Sequence, residues 1–352
     1  MGRAKQLREI FATSFDDSAK WQNWFFGTVA TDDNDAVVVH NESGRPMSAL
    51  FMQPYTFAYA GAELPSVYLS CVATRPEARG KGYASKLMFE AMKTALERGA
   101  VFAELIPANE SLYRFYSRFG FSGCVYAAEE RYTSIHAFRD DGAEVLEPDA
   151  AQLRALEREF GCGVIHSDSD YRNIYDDLML ESTGEVVSVR TPGGANAFLF
   201  AFYNTSKTDS GVTVRSLMAE NEEAADAALA ELRRRVGERS IAVFRPARHE
   251  PQARLHPRGM IRIVNAEAVL GALAAANPQL HHCIRLTDSQ LPHNSGVYVI
   301  RDGACTRSES APRHIDLDVT SETLCAILFS APATGNIFSL PTRRPYMSMM
   351  LD

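Results

Sequence analysis

The chain has 352 residues, more than one ordinary domain holds, so two or three domains are expected. Hydrophobic residues make up 46% and charged residues 23%, the balance of a soluble globular protein, which excludes wholesale disorder. Thirty-six Lys and Arg stand against 44 Asp and Glu, and the net charge of −8 argues against a nucleic-acid binder and favours small cationic partners. The longest apolar runs, such as Val269–Ala276 with Gly271 inside it, are too short to cross a bilayer, and the start Met1–Lys5 leads into polar sequence rather than a signal segment. A cytoplasmic protein with no membrane contact is expected. The six cysteines form no Cys-x-x-Cys pair and read as reduced thiols, and the nine histidines show no metal spacing, so no metal is expected.

In chain order, Phe15, Asp16 and Asp17 followed by Trp21, Trp24 and Phe25 suggest a capped helix with an aromatic face. Residues 36–40 and 47–57 read as strands joined by the turn Asn41-Glu42-Ser43-Gly44, and residues 65–74 as a third strand. The strongest helix runs over residues 83–98, with Leu87, Met88, Ala91, Met92, Ala95 and Leu96 at three- and four-residue intervals and Gly99 at its end. A strand at 100–106, a helix at 111–118 ending on Gly120, and a strand pair at 121–126 and 132–138 complete a first segment. The next segment repeats the order: a helix through Leu153, Leu156 and Phe160, strands at 186–190, 197–203 and 212–218, a helix through Ala225–Val236 and a strand at 241–244. Residues 245–258 look like a linker. The remainder reads as a small α+β domain, with a helix at 266–276, short strands around 280–286, 297–301 and 315–319, and a helix from Ser321. The fold class is α/β (α+β) throughout, and the expected domains are 1–140, 141–250 and 251–352.

One loop advertises chemistry: Pro76-Glu77-Ala78-Arg79-Gly80-Lys81-Gly82-Tyr83-Ala84, between a strand and a helix start. Gly80 and Gly82 let the backbone come close to a ligand, consecutive N–H groups at a helix N-terminus suit a diphosphate, and Arg79 and Lys81 add positive charge. It is neither a Walker loop nor a dinucleotide fingerprint, since no Gly-Lys-Ser/Thr ending and no third glycine is present. The plain alternative is a glycine-containing turn with solvated Arg and Lys. Where the first segment has this loop, the second has Ala219-Glu220-Asn221-Glu222-Glu223, whose carboxylates repel a diphosphate.

The spacing Arg79-x-x-Gly82-x-Ala84 resembles the pyrophosphate motif of the GNAT N-acetyltransferases, and Asn109 to Phe121, with Ser111, Tyr113, Tyr116 and Phe119-Gly120-Phe121, resembles the ending of that domain. The whole chain is similar to the Eis (enhanced intracellular survival) group, through Val72-Ala73-Thr74-Arg75-Pro76, Tyr116–Phe121, Gly259–Val264 and the close at Arg344-Pro345-Tyr346. The resemblance implies an active GNAT domain, a degenerate second one, a sterol-carrier-like third domain, a homo-oligomer (a hexamer in the group), and acetyl transfer from acetyl-CoA to a primary amine such as an aminoglycoside. The exposed backbone edge at Val72, Ala73 and Thr74 is expected to pair with the pantetheine arm as an added strand. Arg79, Gly80, Lys81, Gly82, Tyr83, Ala84 and Ser85 then hold the pyrophosphate, with Asn109 and Ser111 as further cofactor contacts.

The resemblance also gives Tyr116 the role of general acid to the departing sulfur and makes the α-carboxylate of Asp352 the proton acceptor, although the group ends on an aromatic residue rather than Asp. Direct transfer is expected, since no cysteine stands near the motifs as a nucleophile. Glu104 reads as a structural or exposed carboxylate. Tyr113 and Phe115 read as packing, and Arg114 and Arg118 as solvated. The acceptor face is expected at Asp16, Asp17, Trp21, Trp24 and Phe25, where carboxylates beside aromatic walls suit a polycation. Capped-helix packing explains those five residues equally well. Two rivals remain, a protein-lysine acetyltransferase and a non-catalytic acyl-CoA- or lipid-binding protein.

Overall fold

A computed structural model describes residues 2–140, 142–180, 184–204, 210–247, 254–308, 314–329 and 340–351. The first stretch runs α1 (Arg3–Phe11), α2 (Ala19–Trp24), a π-helical turn (Phe25–Val29), β1 (Ala36–His40), β2 (Pro46–Tyr59), β3 (Ala62–Thr74), α3 (Tyr83–Glu97), β4 (Phe102–Leu105), α4 (Glu110–Ser117) and β5 (Ser122–Tyr132). The middle adds β6 (Glu144–Leu146), α5 (Ala150–Phe160), β7 (Gly163–Ile165), α6 (Asp168–Leu180), β8 (Gly184–Arg190), β9 (Asn196–Tyr203), β10 (Val212–Ala219), α7 (Glu222–Val236) and β11 (Ile241–Pro246). The last part holds β12 (Arg254–Ile263), α8 (Ala266–Ala276), β13 (His282–Thr287), β14 (Gly296–Arg301), β15 (Ala304–Ser308), β16 (Leu317–Thr320) and α9 (Ser321–Phe329). None of the described helices is long and apolar enough to cross a membrane.

The chain divides into two compact units. One holds the chain up to Cys124 with Gly259–Thr342, the other Val125–Arg258 with Arg343–Leu351. The third segment joins the first because Met260–Ile263 of β12 pairs antiparallel with Phe102–Leu105 of β4. Buried Arg262 ties the join. Its guanidinium forks onto both oxygens of Asp288 at 2.7 and 2.6 Å, and a Cβ on Gly120 would lie 2.8 Å from it.

In the first unit β1, β2, β3 and β4 lie side by side, with only β3 and β4 parallel. Alternation along β3 sends Val67 and Leu69 into a core with Leu87, Met88 and Met92 of α3, and with Tyr116 and Phe121. Ser66, Tyr68 and Ser70 point to the opposite face. A tight turn at Ala60 and Gly61, both at positive φ, joins β2 to β3 and lengthens both strands beyond the expected 47–57 and 65–74. The last four-stranded sheet runs β15, β14, β13, β16.

The second unit repeats the pattern, β8, β9 and β10 antiparallel and β10 parallel to β11. Two expectations are corrected here. Residues 132–138 form no second strand, because Tyr132, His136 and Phe138 fold their rings together at centroid distances of 4.7–4.8 Å over a turn. The stretch 245–258 is not simply a linker: β11 runs to Pro246 and β12 opens at Arg254. Helix α6 went unrecognised because its buried positions Asp170, Ile174 and Leu178 include an acid. The segment 343–351 packs here too. Tyr346 donates its N–H to Cys162 O at 2.9 Å and accepts from Val164 N at 3.2 Å, an approach that admits only glycine at position 163.

Candidate active site

The geometry is set by where β3 leaves β4. The two strands pair only over Ser66–Tyr68 and Phe102–Glu104, and beyond them no described strand pairs with that edge of β3. On its other side the register against β2 slips: Phe51 faces Ser70 and Ala49 faces Ala73, so Cys71 and Val72 together oppose Leu50. Cys71 takes φ 53, a left-handed value that marks a bulge and bends the strand. Val72, Ala73 and Thr74 therefore lie on an open strand edge, the place where an extended ligand adds as a further strand.

Past Thr74 a 3-10 turn (Pro76–Ala78) leads into the loop. Gly80 and Gly82 sit at φ 73 and 83, and a Cβ on either would meet nothing within 4 Å. Glycine is needed here for backbone conformation, not for room. Gly82 caps α3 with no side chain over the helix end. Lys86 is the first amide of the helix to find an acceptor, Gly82 O at 3.0 Å, so among the described residues the N–H groups of Tyr83, Ala84 and Ser85 bond to no backbone carbonyl. Gly80, Lys81, Gly82 and Ser85 are exposed, and no side chain among the described residues covers the bend. Arg79 lies back over the strand end, Nε donating to Thr74 O at 3.3 Å.

A cleft of about 440 Å³ opens beside the loop, lined by Thr74, Ala78, Arg79, Gly80, the run Gly82–Ser85, Phe115 and Arg118. Phe115 and Arg118 are the residues sequence reasoning passed over. Phe115 on α4 and Arg118, the residue that closes it, stand three apart in helical spacing, and the Arg118 guanidinium lies 5.0 Å from the Phe115 ring. Of the other expected contacts, Lys81 is exposed and does not line the cleft. Asn109 and Ser111 cap α4, Asn109 Oδ1 accepting from the Ser111 amide at 3.1 Å and its hydroxyl at 2.6 Å.

Tyr116 faces the core side of the sheet and is 6% exposed, with its ring against Phe115 and Phe121. Burial pushes its phenol up to about 12, which keeps it protonated at neutral pH and makes it a donor rather than an acceptor of protons. Asp352 lies outside the described residues. The aromatic helix forms as expected, capped by Ser18, which accepts from Trp21 N at 3.1 Å. Trp21 and Trp24 are half-buried, while Asp16 and Asp17 are exposed. Burial raises the Asp17 carboxyl, opposed by a backbone hydrogen bond. Phe25 is fully buried, stacked on Trp21 at 4.7 Å and edge-on to Phe51 at 5.8 Å, so it is a floor under the tryptophan rather than an exposed wall.

The second unit keeps the framework and changes the loop. β10 and β11 again pair over three residues, Val212–Val214 with Ile241–Val243, and β10 again slips register, at Arg215. Yet Asn221 covers its own helix end, Oδ1 accepting from Ala224 N at 2.8 Å. Glu220 takes the backbone and side-chain amides of Asn196 at 3.0 and 2.9 Å. A cleft of about 130 Å³ beside it is lined by Glu130, Glu159 and Glu222, and its Arg245 is paired to Glu222 at 2.6 Å and Glu130 at 3.0 Å.

A strand bent open beside a parallel neighbour is followed by an uncapped, glycine-bent helix start. Residues 2–124 match the family model described as an acetyltransferase (GNAT) domain. Among solved structures the chain is similar to a probable N-acyltransferase from Enterococcus faecalis, at 16% identity and TM-score 0.77 over 97% of this chain and 96% of that one. It is also similar to a GCN5-related N-acetyltransferase from Kribbella flavida (17% identity, TM-score 0.74, 99% and 96% covered). Eis1 from Mycobacterium abscessus gives 16% identity and TM-score 0.70, with 93% and 87% covered. At these identities the likeness is one of fold. No curated protein matches the chain.

Proposed function

We propose that the chain is an acetyl-CoA-dependent N-acetyltransferase that acts on primary amines by direct transfer. The observation that carries this reading is the uncapped run of amides from Gly82 to Ser85 at the end of an open strand edge, beside an Arg-lined cleft. Those amides, with Arg79 and Arg118, hold the diphosphate, and the Val72–Thr74 edge holds the pantetheine arm. Bound there, the co-substrate supplies an acetyl thioester. Tyr116 donates the proton that the departing sulfur requires, and the exposed peptide groups at the bulge polarise the carbonyl.

The acceptor enters over Trp21 and Trp24, where Asp16, Asp17 and the net charge of −8 favour a polycationic amine, aminoglycosides included. The second unit, with its helix end closed by Asn221 and its cleft lined by carboxylates, is read as a copy that has lost the cofactor, giving one site per chain. Sterol-carrier-like character of the last domain and a homo-oligomeric assembly complete the proposal on resemblance alone, and a cytoplasmic location on composition. A carboxylate must take the amine proton. The resemblance assigns that to the end of the chain at Asp352, and the described residues offer a carboxyl of their own, argued below.

Tyr116→Phe tests the acid. Turnover with acetyl-CoA and an amine panel is expected to fall by about 100-fold or more while the calorimetric Kd for coenzyme A stays within twofold. Unchanged turnover removes Tyr116 from the chemistry, and no binding of coenzyme A at millimolar concentration by the wild type removes the enzyme. Rates on aminoglycosides and on lysine peptides separate small amines from proteins as acceptors.

A further inference from the structure

Glu104 is 0% exposed, and no hydrogen bond of ordinary geometry reaches either of its carboxyl oxygens among the described residues. Burying a polar group in this way costs several kcal/mol in general, so the fold gains nothing from a carboxyl there that an apolar residue of the same shape would not supply. A strained or unsatisfied group held at such a cost is a candidate for chemistry.

Its position says which chemistry. Glu104 is the β4 partner of Tyr68, and these two are the last matched residues before β3 and β4 part. Partners across a ladder share a face, so Glu104 lies with Ser66, Tyr68 and Ser70 of β3 and with Gln53 and Tyr55 of β2. Phe51 is on that face as well and meets Phe25 of the aromatic helix, the side on which the amine is proposed to enter. Tyr116 packs on the opposite face, with Val67, Leu69 and Ala103. The opening between the strands is therefore flanked by a carboxyl on the acceptor face and a phenol on the other. Ser66 Oγ and Ser70 Oγ are also buried without an ordinary hydrogen bond, which makes the patch polar beyond Glu104 itself.

We infer that Glu104 is the proton acceptor of the acetyl transfer, receiving the proton of the incoming amine at the closed end of the cleft between β3 and β4. The inference rests on the transferase reading but not on the end of the chain. The step balances: the amine nitrogen forms a bond to the acetyl carbon and gives a proton to the Glu104 carboxylate, the carbon–sulfur bond breaks, and the thiolate takes the Tyr116 proton. The amide keeps the nitrogen's second hydrogen, and transfer of the Glu104 proton through solvent to the Tyr116 phenolate restores both groups.

Burial holds the Glu104 carboxyl well above the ordinary carboxylate range, against the pull of the nearby Ser66 hydroxyl and its own amide, which brings its basicity closer to that of an amine. Around it stand Ser66 and Tyr68 from β3, Tyr55 from β2 and Ile261 from β12, and no charged side chain among the described residues contributes to the shift.

Glu104→Gln tests this in the full chain, beside a second variant carrying four residues added after Asp352. The carboxamide keeps the shape, so thermal unfolding and the Kd for coenzyme A are expected to match the wild type, while kcat falls at least 100-fold and the acidic limb of kcat/KM against pH disappears. Glu104→Asp checks the geometry and is expected to recover part of kcat with the acidic limb restored. The extended chain is expected to keep its turnover. A Glu104→Gln protein with kcat within threefold of wild type, or with its acidic limb intact, overturns the assignment, as does an inactive extended chain beside an active Glu104→Gln. A wild type that acetylates no amine overturns the transferase reading and this inference together, an outcome distinct from the others.

Discussion

Gly82→Ala isolates what the bend before α3 contributes. Residue 82 sits at φ 83, ψ −3, and an added methyl meets nothing within 4 Å. Steric clash is absent, so the cost is the intrinsic preference of an L residue against the left-handed region, about 1–2 kcal/mol. Gly61, at φ 79 and equally open, is its natural control. It lies in the turn that starts β3, roughly 40 Å from the loop at about 3.3 Å of rise per residue along the strand. Both alanine variants are expected to lose stability alike, by ~2–8 °C in Tm. Only Gly82→Ala relieves its strain by rotating the amides of residues 82–85, and its coenzyme A affinity is expected to fall by about tenfold, ~1.4 kcal/mol. Calorimetric titration of the two variants and the wild type reads the difference. Equal affinities for Gly82→Ala and wild type, or an equal loss in Gly61→Ala, refute the idea that these amides grip the ligand.

Two further outcomes concern stability. Arg262→Met leaves Asp288 charged and unpaired in the interior and is expected to cost about 3–5 kcal/mol in urea unfolding; a loss below about 1 kcal/mol contradicts the buried pairing. Burial pushes Asp288 up, but Arg262 together with the Asn294 side chain and the Leu291 amide outweighs it and holds the carboxyl below its usual range, so this contribution is complete above the unfolded value and is lost as pH falls through the lower folded one. His166 has the opposite sign. Burial pulls its imidazole down, yet the Glu157 carboxylate at 2.5 Å, together with Asp170 and the Met349 backbone, outweighs this and raises it above 6.5. Its contribution is therefore present below the unfolded value and lost as pH rises through the folded one, and unfolding of Glu157→Gln is expected to lack that alkaline decline.

Much of this was legible in the chain because the signals are local. The glycines at 80 and 82 announce their left-handed bend, and the apolar spacing from Leu87 to Leu96 fixes the helix behind it. What stayed hidden depends on pairing across the sheet. Nothing in the letters of residues 100–106 says that Glu104 matches Tyr68 at the last rung, or that Met260–Ile263 lies against β4 and moves the third segment into the first unit. Phe115 and Arg118 looked like packing and solvent because lining a cleft is a property of the helix's placement, not of its periodicity. The merger of the two expected strands around Phe121–Phe138 into one strand and a turn follows from three rings that prefer each other to the ladder.

The kinked strand occurs twice, at Cys71 and Val72 beside the open loop and at Arg215 beside a helix end sealed by its own asparagine. A distortion that recurs beside both helix starts, one bare and one covered, belongs to the scaffold rather than to the guest. Under the function proposed above, the few letters after the strand, and not the kink itself, then decide which half can take a ligand.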